Sequence, residues 1–479
     1  MNQEILNHEP KALWHFFEQI NEIPRASKKE EKIIAFMKAF GENLGLKTYV
    51  DACGNVIIFK PGTAGKENKT TVILQSHLDM VHQKNADTQF DFDTQGIESI
   101  IDSDWLKAKG TTLGADNGIG VASIMTLLAS TDIPHPPLEA LFTIDEETGM
   151  TGAFNLEKGI LNGKFLLNLD TEDDDEFSIG CAGGIDTNTS FDYTEENVSE
   201  NKIAYEIKVS GLKGGHSGVD IHLERGNANK IMNRLLAEGL EMNIQLVKIN
   251  GGSLRNAIPR ESTANVIVSN ENFEKNVKEI ANKIKAELSI QDENLQISIS
   301  KIGNIEKAMS EQDSQKVILA IRAVFNGVFT KSVAIADLVE TSSSFARVIL
   351  ENGKFITQSL QRSSVDSAKI EVAKTVGAAF KIIGCDVKHE GEYPGWKPNP
   401  NSPILDLMKS KYEELFQSKP KVFAIHAGLE CGILGERVPG LDMISFGPTI
   451  KNPHSPDEKV SILSVQKFWK FLLAILDSI

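Results

Sequence analysis

The chain has 479 residues, of which 41% are hydrophobic and 24% charged, and its formal net charge at pH 7 is -16. A chain of this length exceeds one typical domain, so we expect at least two domains with substantial cores. The acidic balance argues against a surface that binds nucleic acid or anionic membranes, because such surfaces concentrate Lys and Arg.

The amino-terminal residues 1–20 are polar at first and then amphipathic. They lack the charged and apolar parts of a signal peptide and the length of a membrane span. The four cysteines lie far apart and form no CxxC motif, which fits a reducing compartment without a thiolate zinc site. We therefore predict a cytoplasmic protein with no membrane partner. The cysteines are Cys53, Cys181, Cys385 and Cys431.

The first part of the chain predicts alternating helices and strands. Residues 27–45 have the spacing of an amphipathic helix that begins at a capping box formed by Ser27 and Glu30. Residues 118–130 predict a second helix. This alternation predicts an α/β fold with a mixed sheet. Short apolar runs predict the strands 55–60, 71–76, 138–144, 164–170 and 441–447.

The middle of the chain changes to alternating polar and apolar residues interrupted by helical patterns. A strand, helix, strand, strand succession covers residues 202–269, and a second one runs from 295 to 384. This repetition predicts an inserted α+β domain with a weak internal duplication. We therefore expect residues 185–388 to interrupt a first domain made of residues 1–184 and 389–479.

Acidic and imidazole side chains follow several of the predicted strands. In an open α/β sheet the carboxyl ends of the strands form the crevice where ligands bind, so these side chains should converge. Residues two apart in an extended chain point to the same face, which places His77 and Asp79 side by side. The candidate residues are His77, Asp79, Asp116, Glu146, Glu147 and Asp170.

A divalent cation is the economical explanation for such a cluster, because bare carboxylates repel one another. Mixed His, Asp and Glu ligands without cysteine suit zinc, manganese or cobalt better than calcium. Singly, each residue has an ordinary alternative. Asp116 could cap a helix, the two glutamates could be solvated charges at the end of a strand, and Asp170 could begin a solvated acidic loop. The metal site is preferred because the strand-end positions share one chemistry.

The chain also contains a series of short motifs that resembles the M20 metallopeptidase family in identity and order. The resemblance extends from His77 to His454 and is strongest to the aminoacyl-histidine dipeptidases, also called Xaa-His or β-alanyl-histidine dipeptidases. It implies a zinc-peptidase catalytic domain with an inserted α+β lid domain. The motifs are SHLDMV, GADNGIG, DEETG, LNLD, GGHSG, GGSLRNAIP and NPHSPDE.

The resemblance implies two divalent metal ions per chain, zinc in the first place and manganese or cobalt as alternatives. His77 and Asp170 would bind one ion, and Glu147 and His454 the other. Asp116 would bridge both ions, with a water or hydroxide between them. The return of His454 to the same crevice would require the intervening segment to be an excursion from the first domain.

Further roles follow from the same resemblance. Asp79 would orient His77, and Glu146 would be the general base. If the chain is extended there, Glu146 and Glu147 point to opposite faces, so that one can bind metal while the other faces the water. The peptide bond after the bridging aspartate is commonly cis in this family, so we expect a cis bond between Asp116 and Asn117.

The inserted domain would carry substrate recognition. His216 resembles the family's lid histidine, which helps to stabilise the tetrahedral intermediate and in several members reaches across a dimer, so a homodimer is one expected form. Asn256 and Arg362 are expected near the substrate carboxylate, because a guanidinium binds carboxylate in a bidentate manner. Glu430 in HAGLECG is a candidate for contact with the metal ligands or the substrate amine.

The expected function is two-metal-dependent hydrolysis of dipeptides, with carnosine-like Xaa-His dipeptides as substrates. Alternatives are a related M20 aminopeptidase or tripeptidase, an N-acyl amino acid amidohydrolase, or an inactive binding protein on the same scaffold. Retention of Asp79, Glu146 and all five ligands disfavours the last. A nucleotide-binding protein is also disfavoured, because GLKGGHSG and GADNGIG match neither a phosphate loop nor a dinucleotide fingerprint.

Overall fold

The computed structural model describes residues 2–479, and the chain divides into two compact units. The boundaries lie after residues 180 and 397, where the sequence predicted 184 and 388. The later boundary has a physical reason, since Asp386–Tyr393 pairs along Gly183–Asp192 of the second unit. The first unit comprises Met1–Gly180, Pro398–Ala424 and Leu429–Ile479, and the second comprises Cys181–Lys397 and Ile425–Gly428.

The first unit is built on an eight-stranded mixed sheet, which confirms the predicted α/β class. Its four central strands run parallel, and antiparallel strands flank them on both sides. All five predicted strands are present in this sheet. In spatial order the strands are Lys47–Val50, Val56–Lys60, Leu138–Thr143, Val72–His77, Phe165–Asn168, Asp442–Ser445, Glu176–Cys181 and Lys421–Ile425.

The centre of this sheet is covered on both faces. Every residue of Val72–His77 and Leu138–Thr143 is buried, as expected for parallel strands between helical layers. Helix Ala115–Ala129 packs so closely that a Cβ atom on Gly120 would collide with the Ser76 side chain. The helices of this unit are Lys11–Asn21, Glu31–Asn43, Ala115–Ala129, Glu146–Gly149, Thr151–Asn155, Pro403–Phe416, Glu430–Arg437 and Ile462–Ser478, with a 3-10 turn at Ile5–Asn7.

The capping box predicted for the helix at residues 27–45 is wrong. Helix Glu31–Asn43 begins after Glu30, which makes no side-chain cap. The Ser27 hydroxyl instead donates to Oδ2 of Asp79 at 2.8 Å. Oε1 of Glu30 accepts the backbone N–H groups of Lys28 at 2.9 Å and Asp145 at 3.1 Å. Both side chains therefore tie loops at the strand ends together.

A small four-stranded sheet completes the first unit. Two of its strands flank the loop that carries His454, so hydrogen bonds on both sides fix where that loop begins and ends. In spatial order the strands are Ile450–Lys451, Lys459–Ser461, Trp105–Ala108 and Ser99–Asp102. Within residues 2–479, no helix of either unit has the length and apolar character needed to cross a membrane.

The second unit contains a nine-stranded antiparallel sheet whose helices share one apolar core. In spatial order eight strands are Gln296–Lys301, Ile203–Ser210, Ser262–Val268, Gln245–Gly251, Val339–Glu351, Lys354–Ser363, Gly183–Asp192 and Asp386–Tyr393, and Gly327–Lys331 pairs with Val339–Glu351. The helices are Ala228–Leu236, Asn272–Glu287, Glu311–Ala323 and Asp366–Lys381, with 3-10 turns at Ile221–Leu223 and Ala237–Met242. Short pairs join Glu195–Asn197 to Lys307–Met309 and Gly215–His216 to Ala257–Ile258.

The sheet consists of two similar halves that meet where Gln245–Gly251 pairs with Val339–Glu351. The repeat differs from the predicted one. Residues 295–303 were expected to open the second repeat, but Gln296–Lys301 closes the first half by pairing with Ile203–Ser210. Gly183–Asp192, which precedes the first half in the chain, supplies a strand to the second half. Each half is built on a β-α-β-β-α-β unit, and Gly327–Lys331 is a ninth strand added to the second half.

Candidate functional site

The candidate donors of the first unit stand where three central parallel strands end. Because those strands run in the same direction, the residues that follow them reach one edge of the sheet. The donors are His77 and Asp79 at and after Val72–His77, Glu146 and Glu147 after Leu138–Thr143, and Asp170 after Phe165–Asn168.

Asp116 lies between two histidines that come from distant parts of the chain. Its Oδ1 is 3.2 Å from Nε2 of His77, and its Oδ2 is 3.2 Å from Nε2 of His454. The backbone at Asp116 is not helical (φ -83°, ψ 110°), although it lies within the first turn of Ala115–Ala129. The expected cis peptide bond between Asp116 and Asn117 is present.

Two groups of possible metal ligands share Asp116. In each group the ligand atoms lie within 4.8 Å of one another. Nε2 of His77 is 3.6 Å from Oδ1 of Asp170, and Nε2 of His454 is 3.0 Å from Oε2 of Glu147. The groups are His77, Asp116 and Asp170, and Asp116, Glu147 and His454, the same five residues that the family resemblance implied.

The donor set fits divalent cations. Glu147 has a side chain that is 4% exposed, and its buried Oε1 has no hydrogen-bond partner among the described residues. A buried carboxylate oxygen without a partner is costly, and a cation would satisfy it. Carboxylate and imidazole ligands without thiolate suit zinc, manganese or cobalt.

The electrostatics of the cluster reflect crowded carboxylates. Burial raises the pKa of Asp170 to about 6 and raises the pKa of Glu146 as well. Hydrogen bonds to Asp116 and Glu147 raise the pKa of His454 to about 11. Burial alone would lower the pKa of His77, but the neighbouring carboxylates raise it well above its usual value. Protons and metal ions therefore compete for the same donors.

Asp79 connects His77 to the glutamate pair. The Asp79 side chain is fully buried, and its backbone oxygen and Oδ1 lie 3.0 and 3.3 Å from Nδ1 of His77. Its Oδ1 accepts the backbone N–H of Glu146 at 3.0 Å, and its Oδ2 accepts that of Glu147 at 3.3 Å. One carboxylate thus fixes the imidazole and the turn that presents both glutamates.

The predicted extended conformation at Glu146 and Glu147 is wrong. They are the first residues of the one-turn helix Glu146–Gly149, in which successive side chains are about 100° apart around the axis. The chain turns because Asp145 adopts a left-handed conformation (φ 52°) and its carboxylate accepts the hydroxyls of Thr148 and Thr151. The two glutamates still point in different directions.

Glu430 lies beneath the strand ends and is 1% exposed. Its Oε2 accepts hydrogen bonds from Nε2 of Gln75 at 2.6 Å and the hydroxyl of Thr143 at 2.7 Å. Burial raises the pKa of Glu430 to about 8. Its observed partners are residues of central strands, and it belongs to neither of the two ligand groups.

The second unit brings His216 and Arg362 together. Arg362 is 4% exposed, and its Nη2 is 3.4 Å from Nε2 of His216. Its Nη1 donates to the Tyr393 hydroxyl at 2.6 Å. Asn256 adjoins this group, because its carbonyl accepts the N–H of Ser217 at 2.8 Å. Three residues proposed from sequence for substrate binding or catalysis therefore lie in one neighbourhood.

The protonation of His216 follows from its backbone contacts. Its Nδ1 accepts the N–H groups of Gly218 at 3.2 Å and Val219 at 3.0 Å, which assigns the proton of the neutral ring to Nε2. The 3.4 Å approach of Arg362 Nη2 to Nε2 is then a contact between two donors and not a hydrogen bond. Burial and the charge of Arg362 lower the pKa of His216. The ring is therefore a neutral donor through Nε2.

Some residues around these groups were not found from the sequence. Tyr393 and Ser217 contact Arg362, but no motif marks a lone tyrosine or serine as a guanidinium partner. Arg25 is buried, and its guanidinium donates to the backbone oxygens of Leu78, Asp79 and Gly114. An arginine that donates to backbone carbonyls of distant segments has no characteristic sequence spacing by which it could be recognised.

Comparison with known proteins identifies the family. The chain belongs to peptidase family M20/M25/M40, whose profile matches residues 73–478, and it is a hydrolase that acts on peptide bonds. It is 40% identical over 481 aligned residues to the cytosol non-specific dipeptidase of Escherichia coli K12, a match that covers 99% of both chains.

Solved structures agree with this assignment. The crystal structure of aminoacylhistidine dipeptidase from Vibrio alginolyticus is 44% identical with a TM-score of 0.95, covering 100% of this chain and 98% of that chain. Aminopeptidase PepT from Bacillus cereus is 16% identical with a TM-score of 0.57 over 98% of both chains, and at that identity it shows the shared fold alone.

His426 gives the second unit a testable dependence on pH. Its Nε2 lies 2.7 Å from the Ser342 hydroxyl, and burial, with the charge of Arg362, lowers the pKa of His426 from 6.5 to about 3. The unfolded chain therefore binds a proton at higher pH than the folded chain. Stability from this group is complete above about pH 6.5 and falls on acidification.

We predict that wild type loses about 2 kcal/mol more unfolding free energy than His426→Gln between pH 7 and pH 5, because only wild type carries this proton linkage. Urea denaturation at the two pH values measures the difference. His222→Gln, at an exposed histidine of the same unit, is the control and should follow wild type. Equal acid sensitivity of wild type and His426→Gln would contradict the prediction.

Proposed function

We propose that this peptidase is a dipeptidase that uses two divalent metal ions and cleaves Xaa-His dipeptides. The observation that carries the proposal is the Asp116 carboxylate, whose two oxygens face His77 and His454, each in a separate group of donors. The relatives from E. coli and V. alginolyticus are both named dipeptidases, which supports dipeptides as the substrate class. The Vibrio enzyme's name supports a carboxyl-terminal histidine, whereas the E. coli relative is named non-specific, which favours a range that includes other dipeptides as well.

In this proposal His77 and Asp170 would hold one ion, Glu147 and His454 would hold the other, and Asp116 would be shared by both. Divalent ions bound there would polarise the scissile carbonyl and lower the pKa of water toward about 7. Zinc is the first choice, with manganese and cobalt as alternatives. The cytosolic location named for the E. coli relative supports a cytoplasmic location here.

Glu146 is the proposed general base. Its carboxylate takes a proton from the attacking water as the water oxygen bonds to the carbonyl carbon. It then gives that proton to the amine nitrogen as the carbon–nitrogen bond breaks, so one residue serves both steps. Asp79 supports this role through its hydrogen bond to the backbone N–H of Glu146 at 3.0 Å.

The proposed roles in the second unit are binding and charge stabilisation. His216 donates from Nε2 to the carbonyl oxygen as negative charge develops on it. Arg362 and Asn256 bind the carboxylate of the dipeptide, which favours substrates that carry that charge. Tyr393 and Ser217 hold the Arg362 guanidinium in place through their hydroxyls.

The matched pair Glu146→Gln and Glu147→Gln tests the assignment of base and ligand. Glu146→Gln should keep two ions per chain and near-normal substrate binding, while kcat falls by about 10²–10⁴, because only proton transfer is lost. Glu147→Gln replaces an anionic donor with a neutral amide, so it should bind metal more weakly and regain activity as metal is added. Metal analysis and rates against added zinc or manganese measure both effects.

The reverse pattern, with metal loss in Glu146→Gln and a metal-replete but slow Glu147→Gln, would mean that the two roles are exchanged. Loss of metal in both variants would remove Glu146 as the assigned base. Full activity of Glu146→Gln at normal metal content would contradict general base catalysis by this residue.

Arg362→Ala tests carboxylate recognition. We expect it to lower kcat/KM for Xaa-His dipeptides far more than for the same peptides with an amidated carboxyl terminus, because the lost contact is with that charge. Steady-state rates on the two substrate series decide the matter. Arg255→Ala, at an arginine of the same unit paired with Asp186, is the control and should not discriminate between the series. Equal losses for Arg362→Ala on both series would exclude the role.

A further inference from the structure

Glu458 is a buried carboxylate in the loop-and-strand segment that also carries His454. It is 2% exposed, and the buried Arg25 charge interacts with it favourably without a hydrogen bond between the two side chains. All of its observed side-chain partners are backbone N–H groups. Such a group is costly to bury and therefore requires compensation from those partners.

Four consecutive backbone N–H groups provide that compensation. Oε2 of Glu458 accepts those of Leu113 at 2.7 Å and Gly114 at 2.9 Å, and Oε1 accepts those of Ala115 at 2.8 Å and Asp116 at 3.2 Å. The backbone can present them together because Gly114 adopts a left-handed conformation (φ 71°) just before the helix begins. The last of the four belongs to the residue whose carboxylate both donor groups share.

Arg25 binds the same loop through a backbone carbonyl. Its Nη2 donates to the carbonyl of Gly114 at 2.6 Å, and its Nη1 donates to the carbonyls of Leu78 at 3.1 Å and Asp79 at 3.3 Å. Leu78 directly follows His77. The loop before Asp116 is thus tied to the His77 strand end by Arg25 and to the His454 segment by Glu458.

We propose that Glu458 is a positioning residue that holds the Asp116 carboxylate in register with His77 and His454. Its hydrogen bonds fix the backbone of the Leu113–Asp116 loop, while the chain itself links Glu458 to His454. The inference rests on the proposed metal binding and extends it to a residue outside both donor groups. Residues that orient metal ligands in this way typically contribute about 10–100-fold to metal affinity.

The test is the metal affinity of Glu458→Gln, measured by competition with a chromogenic chelator for zinc. The substitution keeps the size of the side chain, but its amide NH₂ must face one pair of backbone N–H groups, so donor opposes donor. We expect the dissociation constant for zinc to rise about 10–100-fold. The thermal midpoint of the metal-free protein, measured in parallel, reports stability separately from affinity.

Glu139→Gln is the matched control. Glu139 is 5% exposed, lies in the same unit, and accepts the backbone N–H groups of Asn162 and Gly163 at 2.9–3.1 Å. It stands near the start of Leu138–Thr143, at the opposite end from the donor cluster. Its substitution should lower the thermal midpoint while leaving the zinc dissociation constant within about twofold of wild type.

Unchanged affinity in Glu458→Gln, or an equal loss in both variants, overturns the proposal. If Glu458→Gln does not fold, Glu458→Asp takes its place, because the shorter carboxylate keeps its charge but cannot reach all four N–H groups. Weaker zinc binding by Glu458→Asp supports the proposal, and zinc binding equal to that of wild type overturns it. A wild-type protein that binds no divalent ion contradicts the proposed function itself, which the wild-type titration detects independently.

Discussion

The central constraint on the first unit is the concentration of buried negative charge around Asp116. Carboxylates from three strand ends and one helix start converge with only two histidines in the donor groups. Such an arrangement is unfavourable unless positive charge occupies it. The buried Oε1 of Glu147, which has no hydrogen-bond partner among the described residues, shows the same lack of positive charge at a single atom. The proposed pair of divalent ions would offset this cost, and the surrounding hydrogen bonds hold the donors in place for them.

The supporting interactions are mostly contacts of side chains with backbone. Asp79 holds the turn of the glutamate pair, and Arg25 and Glu458 hold the loop before Asp116. Such contacts fix positions well for a physical reason. A backbone group has no rotamers, so a hydrogen bond to it leaves less freedom than a hydrogen bond between two flexible side chains. The parallel strands provide the rigid base on which these loops are fixed.

Much of the fold was predictable because its signals are local. The apolar runs of the central strands and the periodicity of Ala115–Ala129 identify the mixed α/β unit, and the strand-end rule brings His77, Glu147 and Asp170 together. Asp116 was a candidate from the same rule, but its position between two donor groups, and the place of His454, came from the family resemblance, because no local pattern joins residues so far apart. Glu458 was overlooked within a recognised motif, since its role depends on four backbone groups of another segment.

The failed predictions share a cause in tertiary contacts that override local patterns. Ser27 and Glu30 have the sequence of a capping box, but Asp79 and the backbone of Asp145 take their hydrogen-bonding groups. The second unit was divided incorrectly because Gly183–Asp192 joins a half whose other strands come much later in the chain. Sequence patterns read in chain order cannot show that a strand pairs with another strand more than 150 residues later.

The most direct test of the account is the rate of Xaa-His dipeptide hydrolysis as metal is returned to thoroughly metal-stripped protein. Because the donors form two groups that share Asp116, we expect no hydrolysis without metal and recovery with zinc, manganese or cobalt that saturates at two ions per chain. Full activity in the metal-stripped protein, or saturation at one ion per chain, would contradict the two-metal site.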